Sequence, residues 1–380
     1  MTHRQRFHIV RRSILTGLLA AVFAVVAALA AEALAPDVFE VKGVAVDVTA
    51  ETAAQARERA LAEGEGVAFR RLLERLTLRA DHPRLPKLGP RDISVYVKDF
   101  AVADEKTSAV RYLARLSFRF QAGPIRRLLT DSDVPFAETP SKPVLVLPVY
   151  QAAGALLLWD DPNPWRDAWK AVPPLDGLVP LALPLGDLAD IAAIGAEQAV
   201  KGDVRRLNAV AARYGAGDAI VAHGTLGISA RLGRPEVEVF VTRYGTTLQE
   251  QTIVKSFSAT EEEGIDGMLA RAAAELARQV EDNWKKDNLL QFETSAVAAA
   301  KVPIRRLADW LEVRKRLSGI AVVGRVDMVL ISLDEVCINL HYFGSEEQLV
   351  VALEQADLVM SAEDGEWVLG LAASSPRKKS

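Results

Sequence analysis

The chain is poor in cysteine. Of its 380 residues only Cys337 is one, so no intramolecular disulfide and no cluster of thiolate metal ligands can form. A dominant charge is missing too: 46 Lys and Arg stand against 50 Asp and Glu, a net charge of −4. So even a balance supplies no global field for phosphate backbones or anionic lipid, and nucleic acid is not an expected partner. The common catalytic signatures are absent as well. There is no Gly-rich phosphate loop ending in Lys-Ser/Thr, no G-x-G-x-x-G after a strand, no H-E-x-x-H and no G-x-S-x-G elbow. These absences remove the familiar reaction classes and leave unfamiliar ones open. Hydrophobic residues, by contrast, make up 50% of the chain. That share excludes wholesale disorder and supplies core for two to three domains.

Export is the first positive signal. Arg4, Arg6, Arg11 and Arg12 precede nineteen uncharged residues, Ser13 to Ala31, whose apolar centre gives way to small residues. Ala28, Ala30 and Ala31 form a signal-peptidase junction, so residues 1–30 read as a cleaved signal peptide. The rival reading is an uncleaved anchor, because the run approaches the roughly 20 residues that span a bilayer. Arg11-Arg12-Ser13-Ile14-Leu15 also resembles a twin-arginine export signal. By either route the expected compartment is the bacterial periplasm, where a chain with one thiol relies on burial rather than on disulfides.

Periodicity divides the remainder into three α+β and α/β modules followed by a disordered tail, 373–380. Residues 36–133 read strand, long helix, hairpin, short helix. The long helix carries Ala53, Ala56, Ala60, Val67, Leu73 and Leu76 on its core stripe, and Gly64 and Gly66 interrupt it. Asp131 to Lys142, with two prolines and several polar residues, reads as a linker or exposed connection. Residues 141–286 open on the apolar run Val144 to Pro148, a strand buried on both faces, and continue as a mixed sheet with helices against it. Residues 301–372 read helix, strand, strand, helix, strand, strand, a ferredoxin-like composition.

Chemistry has few places to reside. Outside the export segment the histidines are His82, His223 and His341, one in each module. Cys337, between Val336 and Ile338, reads as a buried inert thiol. Asp160 and Asp161 precede Pro162, Asn163, Pro164 and Trp165. Their oxygens could serve calcium, but EF-hand spacing is absent and an Asx cap on a helix at Trp165 explains the same residues. Trp159 and Trp165 read as satellite core or as a recognition surface. Between Lys301 and Arg316 six basic residues, among them Arg305, Arg306, Arg314, Lys315 and Arg316, meet two acids. Between Glu346 and Glu366 seven acids meet no Lys or Arg. Two solvated faces are the plain reading, and a dipolar docking module is the sharper one.

The Val38 to Val48 strand, the Ala-rich helix, the Val144 to Pro148 strand and the segment Leu183-Pro184-Leu185-Gly186-Asp187 together resemble a family of proteobacterial envelope proteins known as domain of unknown function 2066. The likeness brings no catalytic residues with it. The middle module is more loosely similar to the TolB amino-terminal domain, which implies binding. The expectation is a non-enzymatic periplasmic binding or assembly factor whose partner is another envelope protein. No cofactor is expected, and membrane contact is expected only through the N-terminal segment if uncleaved. The alternatives are an envelope hydrolase or ligand-binding enzyme with a site near Asp160, Asp161 and His223, and a membrane-anchored scaffold.

Overall fold

The computed structural model describes residues 37–245, 251–290, 295–363 and 366–372. The export segment with Ala28, Ala30 and Ala31, the tail 373–380 and the turn at Asp364-Gly365 lie outside the described residues. Among the described residues three separate sheets organise the chain in the mixed α+β and α/β class expected.

The first sheet is antiparallel. It is built from β1 (Glu40–Thr49), β2 (Val97–Thr107) and β3 (Arg111–Phe120), with β3 in the centre. Tyr112, Ala114, Leu116, Phe118 and Phe120 alternate inward from β3 against α1 (Ala53–Leu76), and α2 (Ala122–Asp131) closes the unit. Thr52 starts α1 by accepting a hydrogen bond from Gln55 N at 3.2 Å. The helix runs unbroken through Gly64 and Gly66, contrary to expectation. Its core face uses Ala56, Ala60, Gly64, Ala68 and Leu72, spaced four apart, and Val67 is exposed instead of buried. A Cβ at Gly64 would lie 2.6 Å from Leu116 Cδ1 and 3.1 Å from Val46 Cγ1, so the missing side chain lets helix and sheet approach.

The second sheet has the order β5-β4-β7-β8-β9, with β6 also on β4. Its strands are β4 (Val144–Ala152), β5 (Ala155–Leu157), β6 (Leu181–Ala182), β7 (Asp218–Ile228), β8 (Pro235–Tyr244) and β9 (Gln251–Ser258). β4 and β7 pair in parallel. The chain crosses between them through α3 (Pro164–Lys170), α4 (Leu188–Ala193), α5 (Ala196–Val200) and α6 (Val204–Arg213). β4 is buried on both faces, as its unbroken apolar run predicts. Val144, Val146 and Tyr150 share a core with Trp165, Trp169 and α7 (Ile265–Asp287), while Leu145, Leu147 and Val149 meet Leu207 and Val210 of α6.

The third sheet contains a strand that periodicity did not reveal. β10 (Ser295–Pro303) lies between β12 (Glu335–Phe343) and β14 (Glu366–Leu371), with β11 (Val323–Ile331) and β13 (Leu358–Glu363) at the two edges. α8 (Leu307–Leu317) and α9 (Glu346–Gln355) cover one face of the sheet, their Trp310, Val313, Leu349 and Leu353 packing on Val336, Ile338 and Leu340. The neighbours β11, β12 and β10 are antiparallel, as in a ferredoxin-like unit, but β14 runs parallel to β10 and separates it from β13.

The connection from Asp131 to Lys142 is not exposed. Val134, Phe136, Ala137, Glu138, Thr139 and Ser141 are buried. Ala137 N donates to Leu76 O at 2.8 Å, Leu290 N donates to Phe136 O at 2.9 Å, and Trp284 Nε1 donates to Thr139 O at 2.7 Å. The segment is stitched between α1 and the end of α7, so its backbone polar groups are satisfied by both neighbours.

Candidate interaction surfaces

The Asp160 loop is organised as a helix start. Asn163, fully buried, accepts from Arg166 N at 3.0 Å through Oδ1 and donates to Leu158 O at 3.4 Å through Nδ2. This is the Asx cap expected for a helix at Trp165. Trp165 is itself fully buried, donates from Nε1 to Ala222 O at 2.8 Å, and stacks edge-to-face on Trp169 at 5.8 Å. Trp165 therefore belongs to the core and leaves the set of candidate surface residues. Trp159 is half-buried and donates to Ile194 O at 2.7 Å. Asp160 and Asp161 face solvent, and Asp161 has only a long contact to Arg166, 3.9 Å.

His223 Nε2 lies 3.1 Å from Gln151 Oε1, and burial pushes its imidazole below the ordinary value, which favours the neutral ring. Among the described residues its partners are Gln151 and the Phe240 ring, and it shares none with Asp160 or Asp161. His82 sits in the turn Arg79–Arg84. His341 Nε2 is 2.9 Å from Asp327 Oδ2 and 3.1 Å from Arg325 Nη2, on the sheet face that α8 and α9 leave open. Cys337, on that same face, is half-buried rather than buried. Among the described residues, no group of three or more His, Cys, Asp or Glu could hold a metal.

The charged runs of the third unit neutralise one another in part. Lys301 pairs with Glu366, Arg306 with Asp309 at 3.1 Å, and Arg316 with Glu312 at 2.7 Å and Asp357 at 3.6 Å. Contacts between the two runs account for Lys301 and Arg316, which narrows the dipolar surface expected. Arg305, Arg314 and Lys315 remain, exposed and without an ion-pair partner among the described residues.

A second surface is an exposed sheet edge. Met328, Val329, Leu330 and Ile331 form a continuous apolar run on the edge strand β11, and all four are exposed, Val329 to 64%. Leu333, in the turn that follows, is 96% exposed. Soluble proteins usually shorten, charge or cover such an edge. Register shifts at Val323/Arg325 and Met328/Leu330 bend β11 locally, but they do not cover its apolar side chains.

No family model matches the chain, and no curated protein matches it. Among solved structures it is similar to a formyltetrahydrofolate deformylase from Pseudomonas putida KT2440 at 15% identity, over 62% of this chain and 94% of that one. The TM-score is 0.20, and a superposition that loose carries no argument for fold or function.

Proposed function

We propose that the protein is exported and works in the bacterial envelope as a binding or assembly factor, without chemistry of its own. The observation that carries this reading is the exposed apolar edge of β11. An extended segment of a partner protein laid along Val323–Ile331 would pair with the open row of backbone N–H and C=O groups and cover Val329, Leu330 and Ile331. The arginines and apolar run at the N-terminus support export, and the likeness to the proteobacterial envelope family supports the compartment.

A photocrosslinking residue at position 330, introduced in living cells, tests the reading. Adducts with another envelope protein are expected, together with a purified chain whose intact mass begins at Ala31. Recovery of the chain from the cytosol with Met1 to Ala30 attached would overturn the export half. A turnover that Asp161→Asn abolishes would overturn the non-enzymatic half.

A further inference from the structure

The turn after β11 and the start of α8 lie at the same end of the third unit. Ile304 N donates to Asp334 O at 2.8 Å, and Pro303 pairs with Glu335 at the end of the β10/β12 ladder. The turn is fixed internally: Ser332 Oγ donates to Asp334 Oδ1 at 2.7 Å, and Ser332 N donates to Glu335 O at 2.8 Å. Leu333 is thereby held outward by a hydrogen-bonded frame. On α8, Trp310, Val313 and Leu317 face the core, while Leu307, Leu311, Arg314 and Lys315 recur at helical spacing along the exposed flank beside that stripe. Leu307 is 59% exposed and Leu311 52%.

We propose that this end of the third unit docks on an anionic phospholipid surface. Leu333 at the hairpin tip and Leu307 and Leu311 on α8 would enter the interface, with Arg305 beside them and Arg314 and Lys315, in the last turn of α8, reaching the headgroups further along the same flank. Three features select lipid as the occupant. The leucines protrude from two elements instead of lining a groove, and a fluid interface accommodates protruding side chains without a matching pocket. The cations flanking them have no ion-pair partner among the described residues, which suits a surface of negative charge. The export reading also sets the chain in a compartment bounded by bilayers. The acids at this end do not cancel the attraction entirely: Asp309 is committed to Arg306, and Asp334 and Glu335 are two carboxylates against the three cations Arg305, Arg314 and Lys315. The inference rests on the export reading only for where the bilayer is met.

The test uses the exported form, from Ala31 onward, carrying Cys337→Ser and Leu333→Cys and labelled at position 333 with an environment-sensitive dye. Vesicles of phosphatidylcholine alone are compared with vesicles in which about a quarter of the lipid is phosphatidylglycerol, a surface charge sufficient to attract basic side chains. On the anionic vesicles the label is expected to shift to the blue and to be quenched by a quencher placed in the acyl chains. Replacing Arg305, Arg314 and Lys315 by glutamine should weaken binding about fivefold per cation removed. The exported form lacks the arginines and apolar run of residues 1–30, which would bind anionic vesicles by themselves. An unshifted label overturns the proposal, as does an equal response to both lipids. A shift that needs only higher protein concentration points to a second copy, and a response to polyglutamate but not to vesicles points to an acidic protein; each overturns it. Because the assay needs neither export nor a partner protein, its failure leaves the β11 reading standing, and a missing crosslink from position 330 leaves this one standing.

Discussion

Two glycines of α1 sit two residues apart and do different work. At Gly64 an alanine would gain about 1 kcal/mol of helix propensity. Its Cβ would also fall 2.6 Å from Leu116 Cδ1 and 3.1 Å from Val46 Cγ1, and overpacking of that kind costs about 1–3 kcal/mol. The clash outweighs the propensity, so Gly64→Ala is expected to lower stability by about 1 kcal/mol. At Gly66 the added methyl meets nothing within 4 Å. Gly66→Ala is therefore expected to raise stability by about 0.5–1 kcal/mol. Urea denaturation midpoints of the two variants should move in opposite directions. Stabilisation by both would mean that α1 and β3 are packed more loosely than these distances state. Nothing in the sequence separates the two residues, since the difference exists only once the sheet lies against the helix.

At the scale of the element, local chemistry was legible and tertiary position was not. Asn163 could be read as a cap because its side chain acts within three residues of itself. Asn163→Ala removes the bond from Arg166 N and a donor to Leu158 O, in a fully buried place. It should cost about 1–2 kcal/mol in a thermal or urea melt. Loss of helix signal without loss of stability would instead mean that Trp165 and Trp169 hold the segment unaided. β10 escaped notice for the opposite reason. Its Ala-Val-Ala-Ala-Ala sequence has weak strand propensity, and what makes it the central strand is pairing with β12 and β14, both distant in the chain. For β11 the four consecutive apolar residues stand on a strand that ends a sheet, a property set by which strands pair. Charge behaved likewise: Lys301 and Glu366 meet only because β10 and β14 are neighbours.

The whole molecule is held together by polar contacts that no short window of sequence contains. Lys285 of α7 donates from Nζ to Glu74 O at 2.9 Å and Thr77 O at 3.0 Å, closing the carboxyl end of α1. Beside it, Arg79 forms a two-bond fork with Glu275, 2.9 Å each, and a further contact with Asp282 at 3.3 Å. The Arg79 guanidinium holds the Glu275 carboxyl well below its ordinary value of 4.5, at about 2. A carboxyl lowered on folding contributes stability that is fully present above its unfolded value. That contribution is lost as pH falls through the folded value, here between about 4.5 and about 2. Arg79 and Glu275 are both partly solvated, so screening reduces the contribution to about 1 kcal/mol. Glu275→Gln should therefore be less stable than the natural chain near pH 7, and the two should converge as the solution approaches pH 2. Other carboxyls titrate over the same interval, Asp187 among them, held at about 2 by Arg213. The diagnostic quantity is accordingly the difference between the two denaturation curves at each pH, in which these shared titrations cancel. A difference that stays constant down to pH 2 would mean that the fork does not join the first unit to α7, leaving Lys285 and the buried connection from Val134 to Ser141 to do so.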